Sequence, residues 1–369
     1  MTVIGASPHT AGASAGIQIA AVQPSPPNDE ANRDTVKLQL QEALQSLKQS
    51  KQLGRVEAER ILASIGPLQN ARRNRKPPPP LEAALGSCVA APSPVCLLQE
   101  AFAHAYRVPD EGRRDWALSA VASAFHDAGE NERVYDVLAL MDDPRTVLRL
   151  LGDTVAAEES TQPAGGKRET DDLGDPNDGS AANWVPAARS GNWDTAEREI
   201  ETIPESRYRA VAWARFGRMA IDAGELAMAD RALAESEALI EGIDLNYARS
   251  FAQYEASLTH IARVATSNKD LAETRKAAAA TARIDQPHFR ADAYWRLAAV
   301  GSTALTPEIE ERAEQSFSEI ASRLRKVFVL TVAEIKSDRR QDRALAIAST
   351  ITDPLDRARA FTRLARYVR

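Results

Sequence analysis

The sequence lacks a long apolar run, has few aromatic residues and carries no excess of basic charge. It has 369 residues, of which 5% are aromatic, and its 46 Lys and Arg against 52 Asp and Glu give a net charge of −6. Without about 18 consecutive apolar residues no membrane span is expected. The interspersed charges offer no basic surface for nucleic acid. With 44% hydrophobic and 27% charged residues, the composition is typical of a soluble protein with a sizeable core.

Motifs of catalysis and of cofactor binding are also missing. The sequence contains no Cys-x-x-Cys, no Gly-Lys-Ser/Thr phosphate loop and no Gly-x-Gly-x-x-Gly after a strand pattern. Its five histidines have no metal-ligand spacing such as His-Glu-x-x-His. We therefore predict no catalytic residue, cofactor or metal. One alternative stays open, in which two acids from distant helices act on a cell-wall glycan as in a hydrolase.

There are only two cysteines, Cys88 and Cys96, on either side of a segment with two prolines. A turn at those prolines permits a disulfide between them, whereas a reducing compartment would keep both thiols free. The N-terminus contains Ala13-Ser14-Ala15 in a nearly uncharged stretch, which resembles the end of an export signal without its basic region. We expect a periplasmic or secreted protein; the alternative is a cytoplasmic one with a flexible tail, if Met1 is the true start.

Composition and periodicity divide the chain into six segments. Three of them have apolar residues at helical spacing. The others are rich in proline, or are acidic and contain almost no large apolar residue. The segments are a flexible tail or truncated export signal (1–31), an N-terminal helical hairpin (32–66), a Pro-rich linker (67–82), a first helical repeat block (83–155), a disordered acidic insertion (156–183) and a second helical repeat block (184–369).

A single pattern recurs along the helical blocks. An apolar anchor residue is preceded seven positions earlier by a small residue and followed six positions later by Arg and after nine by Ala, as around Ile203 with Ala196, Arg209 and Ala212. Some anchors match only in part. The eight anchors are Ile65, Val108, Met141, Ile203, Ile243, Ile284, Ile320 and Ile351.

The spacing of the anchors is typical of stacked helical hairpins. Repeats of about 30 to 45 residues with helical patterning predict an all-α chain in which each unit is two helices and neighbouring units share a core. The segment from Gly191 to Ala196, Gly-Asn-Trp-Asp-Thr-Ala, resembles the inter-helix turn of tetratricopeptide repeats. Segments 129–134 and 224–229 resemble it too, although the period and the missing regular Pro depart from that family. The resemblance implies a right-handed α-solenoid of about seven or eight hairpins.

The same resemblance implies function by binding. Its concave face is expected to bind a protein or peptide, making this chain a scaffold or adaptor in an envelope-associated assembly rather than an enzyme. The recurring Arg has two interpretations: a structural ladder with the acid that follows each anchor, or a row of guanidinium groups for an acidic peptide such as the chain's own insertion. Half-exposed tyrosines would add anchors for a partner. The candidate partner-binding residues are Arg209, Arg249, Arg290, Tyr247, Tyr254 and Tyr294.

The last hairpin raises one further possibility. Residues 344–368 end the repeat without an evident polar cap. Because a solenoid end without a cap exposes apolar surface, self-association through the terminal hairpins is also expected.

Overall fold

The computed structural model describes residues 55–74, 88, 91–159, 184–331 and 337–368, without the side chains of 55, 57 and 153–159. The predicted tail 1–31, the first half of the predicted hairpin 32–66 and the acidic insertion beyond residue 159 lie outside the described residues. Within them the protein is all-helical, with seventeen helices and no strand. The prediction of an all-α chain is confirmed for this part.

The helices are numbered here in chain order. They are α1 (Arg55–Ala63), α2 (Gly66–Arg73), α3 (Pro94–Ala105), α4 (Glu111–Asp127), α5 (Asn131–Leu138), α6 (Pro144–Glu159), α7 (Trp184–Arg189), α8 (Trp193–Glu201), α9 (Ser206–Asp222), α10 (Leu226–Ile240), α11 (Asn246–Thr266), α12 (Leu271–Ala282), α13 (Pro287–Val300), α14 (Thr306–Ser318), α15 (Arg323–Leu330), α16 (Asp338–Ser349) and α17 (Pro354–Tyr367). Helix α2 covers residues 66–73, so the predicted linker 67–82 is helical in its first part.

All eight predicted anchors lie in turns between helices and are buried. In every one of these turns the anchor N–H donates to the carbonyl three residues earlier, at the end of the preceding helix. That bond satisfies a carbonyl that has no partner within its own helix. The sequence pattern thus corresponds to one repeated local structure, the turn that leads from one helix into the next.

The glycines of the tetratricopeptide-like segments end helices. Gly129, Gly191 and Gly224 have φ of 79°, 76° and 83°, in the left-handed region that favours glycine. The residue after each glycine donates its N–H to a carbonyl five positions earlier, as from Glu225 to Ala220 at 2.8 Å. This is the Schellman arrangement that closes a helix and allows a tight turn into the next one.

Consecutive helices pack as pairs, which we call units. The described pairs are α4 with α5, α7 with α8, α9 with α10, α11 with α12, α13 with α14, and α15 with α16. The first helices of neighbouring units also contact one another directly, α9 with α11, α11 with α13 and α13 with α15. These contacts join neighbouring units through their first helices.

Small residues allow the close approach of the helices. Seven positions before the anchors lie Ala101, Ala196, Ser236, Ala277 and Ala313, each with no exposed surface. A larger side chain at such a position would separate two backbones that are now in contact. The small residues predicted from the repeat are therefore the places where helix meets helix.

The last helix packs onto the first part of the chain. Its most extensive contact is with α3, and it also contacts α4. The ring of Phe361 stacks on that of His104 with centroids 6.1 Å apart, and Arg366 pairs with Asp127 at 3.7 Å. The expectation that residues 344–368 end the repeat is therefore wrong: helices of the same chain cover the terminal hairpin.

The helices around this contact form one continuous core. A single cluster of buried apolar residues runs from Ala58 in α1 to Ala365 in α17. Within the described residues no helix is long and apolar enough to cross a membrane.

Candidate functional site

The recurring arginines bind the turns that precede their helices. The side chains of Arg209 and Arg290 donate to the carbonyls of Ile203 and Ile284, at 3.2 and 2.8 Å. Arg114 and Arg357 make the equivalent contact with Val108 and Ile351. Each guanidinium thus closes the carbonyl end of the previous helix, where a cation is favourable.

Several of these arginines also reach the next unit. Arg114 pairs with Asp142 at 2.5 Å and Arg249 with Asp285 at 3.0 Å. Arg290 pairs with Glu319 and also donates to Ser316. The acids lie beside the next anchor, so the arrangement has the form of the predicted structural ladder between neighbouring units.

The acid after the anchor caps a helix at two of five positions. Asp110 accepts from the backbone N–H of Arg113 and Asp353 from that of Asp356, each at 2.8 Å. Glu205 is at the N-cap of α9 without a side-chain cap bond, and Asp285 precedes the N-cap of α13. Asp244 precedes the N-cap residue of α11. The acid therefore caps the helix only where it is an aspartate at the N-cap position itself.

The three candidate tyrosines have different surroundings. Tyr254 and Tyr294 are each 3% exposed, and the Tyr254 hydroxyl donates to Asp292 Oδ2 at 2.5 Å. Burial and the neighbouring carboxylate raise the pKa of Tyr254 well above its usual value. Tyr247 is 48% exposed and packs against His288 and Phe289. Of the three, Tyr247 alone offers substantial surface to a partner.

A polar network crosses the layer of first helices beside these tyrosines. The buried carboxylate of Glu255 in α11 accepts hydrogen bonds from Arg215 and Arg218 of α9, with the shortest distance 2.6 Å. In α13 the fully buried Asp292 accepts from Tyr254 and, at 2.8 Å, from Arg296. These charges are paired within the network.

The pKa of Glu255 reports on that pairing. Burial acts to raise it, but the guanidinium groups of Arg218 and Arg215 outweigh burial, and the net pKa lies below the ordinary value. Glu255 is therefore an ionised structural partner at neutral pH rather than a proton donor.

A groove lies on the other side of α11, between α10 and α12. Two adjoining cavities of about 310 and 190 Å³ follow the same face of α11, which carries Arg249, Gln253, Ala256, His260 and Arg263. These positions repeat at helical spacing, so one face of α11 forms the floor. Small side chains, including Ala229 on α10 and Ala280 on α12, leave room between the walls. We call this feature the α11 groove.

Charges of both signs line the α11 groove. Glu237 of α10 accepts from His260 on the floor at 3.2 Å and pairs with Arg283 at the end of α12 at 2.9 Å. The hydrogen bond from His260 and the charge of Arg283 lower the pKa of Glu237 in spite of its partial burial. Glu237, which lines the first cavity, thus contacts His260, which lines the second.

Two polar atoms of the groove floor are buried without a hydrogen-bond partner. They are Gln253 Oε1, an acceptor, and Arg263 Nη1, a donor. Unsatisfied groups of this kind favour a ligand or water that supplies the missing partner. The α11 groove can therefore accept hydrogen bonds at one end and donate them at the other.

A second cluster of ionisable groups lies where α17 meets α3. Glu100 is 1% exposed and neither of its carboxylate oxygens has a hydrogen-bond partner. His104, one turn later, has its Nε2 3.8 Å from Glu100 Oε2. Burial raises the pKa of Glu100, against the charges of Arg357 and Arg107, and burial lowers that of His104 to about 4. Sequence reasoning missed this cluster because its partners are more than 250 residues apart.

Near the start of α3 the structure contains a disulfide between Cys88 and Cys96, with Cα atoms 5.6 Å apart. In the described part of the chain no group of three or more His, Cys, Asp or Glu is arranged to hold a metal ion. Comparison with protein-family models, curated proteins and solved structures gives no match to this chain.

Proposed function

We propose that this protein is a helical-repeat scaffold that binds a peptide segment of another protein. In this proposal the units stack as a right-handed, tetratricopeptide-like α-solenoid of about seven or eight hairpins. The repeated anchor turns and the contacts between successive first helices support it. Helices α10 and α12 have no extensive contact with each other in the described chain, whereas the first helices α9, α11 and α13 pack directly. Such a stack curves with its first helices on the inside.

The observation that carries the binding function is the α11 groove. From Arg249 to Arg263 its floor runs for about 21 Å along a helix, which accommodates about six residues of extended peptide. The unpartnered Gln253 Oε1 suits a backbone N–H, and walls with both charge signs suit a peptide of mixed charge. This groove lies among the second helices, so the proposal differs from the concave face expected from the family resemblance.

Charge pairing argues against the alternative surface on the first helices. There Arg215, Arg218 and Arg296 are already bound to buried acids, and exposing them to a new anion would break those pairs. Arg209 and Arg290 close turns, and only Arg249 among the candidate arginines lines the groove.

A hydrolase would need a buried acid inside a cavity. The four buried acids of the described residues, Glu100, Asp115, Glu255 and Asp292, line neither cavity of the groove. No observation therefore favours the glycan-hydrolase alternative over binding.

Site-specific crosslinking tests the proposal. A photoreactive residue at position 283, beside the groove, is expected to trap a partner in extracts of the source cells, and mass spectrometry then identifies the attached peptide. The matched control is position 312, another exposed arginine paired with a Glu but remote from the groove. Equal adducts at both positions, or none at 283, would contradict peptide binding in the groove.

The disulfide supports an oxidising compartment. Disulfides between neighbouring cysteines persist in secreted and periplasmic proteins and are rare in the cytosol. We infer an exported protein that joins an envelope-associated assembly. N-terminal sequencing of the mature protein together with its thiol content checks this: an intact Met1 with two free thiols would overturn it.

A further inference from the structure

The α11 groove lies where the repeat departs from its own pattern. In seven of the described helices, the residue ten positions after the preceding anchor lies within the helix. In six of them this residue is large, apolar and at most 7% exposed: Leu118, Leu151, Trp213, Tyr294, Leu330 and Phe361. In α11 it is Gln253. Among these helices α11 alone lacks an apolar core side chain at this position.

The same exception recurs three positions further along. Helices α4, α9, α13 and α17 carry Val121, Phe216, Leu297 and Leu364 there, each with no exposed surface. Helix α11 has Ala256 instead. Residues three apart lie on one face of a helix, so the two exceptions remove bulk from a single place on α11. The groove is therefore the space that two core side chains occupy elsewhere in the repeat.

The preceding unit shows what fills this space. Trp213 and Phe216 of α9 belong to one core cluster with residues of both α8 and α10, and their rings meet edge to face with centroids 5.7 Å apart. Gln253 and Ala256 line the first cavity of the groove together with residues of α10 and α12. Two aromatic rings thus fill the gap between second helices over α9, whereas the corresponding gap over α11 is open.

The first cavity favours a large ring that carries a hydrogen-bond donor. Its volume of about 310 Å³ is at the lower end of the range for ligand pockets, about 300–1,000 Å³, and suits one large side chain. Arg249 and Arg283 line it, and guanidinium groups are attracted to ring faces. The buried Gln253 Oε1 has two lone pairs, so a ring donor can use one and leave the other for a peptide N–H. Tryptophan and tyrosine combine such a ring with a donor.

The segments outside the described residues cannot supply this side chain. All five Trp, seven Tyr and eight Phe of the sequence lie within the described residues. The ring that fills the first cavity therefore comes from another chain.

We propose that the peptide bound in the α11 groove is recognised by a tryptophan or tyrosine, whose ring lies over Ala256 and donates to Gln253 Oε1. The partner thus supplies the aromatic core residue that the repeat lacks at α11. This inference rests on the proposed function and adds to it the residue type by which the partner is selected.

Selection from a phage library of random hexapeptides, on the immobilised full-length protein, tests the choice of residue. We expect Trp and Tyr to be enriched over Phe and Leu at one position of the selected peptides. In a synthetic peptide from this selection, replacing that Trp or Tyr by Phe should weaken binding about tenfold, because the buried acceptor of Gln253 would lose its donor. Isothermal titration calorimetry measures the two affinities.

Two variants assign the effect to the cavity. Gln253→Met keeps the length of the side chain but removes the carbonyl, so the selected peptide and its Phe form should bind within about twofold of each other. Ala256→Leu gives α11 the residue of α13 and fills the cavity, so both peptides should bind more than about thirtyfold more weakly. Ala279→Leu adds the same atoms on the exposed side of α12 and should leave binding unchanged. If Ala256→Leu does not fold, Gln253→Met decides.

The inference and the proposed function fail in different ways. Selected peptides that lose affinity in Ala256→Leu but bind equally well with Phe in place of Trp or Tyr would overturn the inference and leave peptide binding in the groove intact. Peptides that bind Ala256→Leu as tightly as the unchanged protein, or a selection that yields no peptide, would contradict the groove as the binding site and the inference with it.

Discussion

Arginine is the residue type that joins the helices of this protein. Arg215 and Arg218 bind Glu255 across two first helices, while Arg290 connects one turn to the next unit. The charges of these arginines are therefore paired with acids of the same chain. The row of guanidinium groups suggested by the sequence is thus largely paired with acids of the same chain.

We expect Glu255→Gln to lower the free energy of unfolding by about 3 kcal/mol, because two arginines would lose a buried ionised partner. Denaturant titration measures the change. Glu314→Gln, at an exposed pair with Arg343, should cost less than about 0.5 kcal/mol. Similar losses in both variants would mean that the buried network has no special weight.

His288 should make stability depend on pH. Burial, together with the charge of Arg325, lowers its pKa from 6.5 to about 4 in the folded protein. A histidine with a lowered folded pKa stabilises the fold above pH 6.5 and loses that contribution as the pH falls to about 4. We expect His288→Phe, which keeps an aromatic ring, to flatten the decline in stability over this interval by about 2 kcal/mol. Thermal unfolding measured at several pH values between 6.5 and about 4 checks this prediction. If stability falls equally steeply with pH in the variant and in the unchanged protein, His288 does not gain a proton on unfolding.

At the level of helices, the repeat depends on small residues at fixed positions. Ala277 in α12 is fully buried at the position seven before an anchor, whereas Ala279 on the same helix is exposed. The two have the same intrinsic helix propensity. They differ only in what surrounds the methyl group.

We therefore expect Ala277→Leu to lower the free energy of unfolding by about 2 kcal/mol through overpacking. Ala279→Leu adds the same atoms toward solvent and should change it by less than about 0.5 kcal/mol. Chemical denaturation of both variants measures the difference. Equal stability would show that α12 can move away from its neighbours at no cost.

Local pattern predicted the helices and turns but not the partners of distant residues. The anchors and the small residues depend on neighbours that are close in sequence, which spacing reveals. The bonds from the recurring arginines to the turn carbonyls are just as local, but they were not predicted from the sequence. The burial of Tyr254 depends on Asp292, 38 residues later in another unit. The groove depends on the separation of α10 and α12, which no local pattern sets.

At the scale of the whole molecule, the order of units in space differs from their order in the chain. The sequence suggested two helical blocks in series and a free C-terminal hairpin. The described structure has the C-terminal helix packed against α3 and α4, with a core that continues across the contact. A contact between helices so far apart in the sequence requires no special residue type. Local sequence patterns therefore do not predict it.

The contact between α17 and α3 also means that the order of the helices along the chain could be changed without changing which helices touch. A circular permutant that begins at Trp184, joins Val368 to Pro92 through a short turn and ends after α6 would present α3 to α17 in their spatial order, without α1 and α2. Its topology would be that of an uninterrupted linear array. Each helix would then follow, along the chain, a helix that it contacts in the structure.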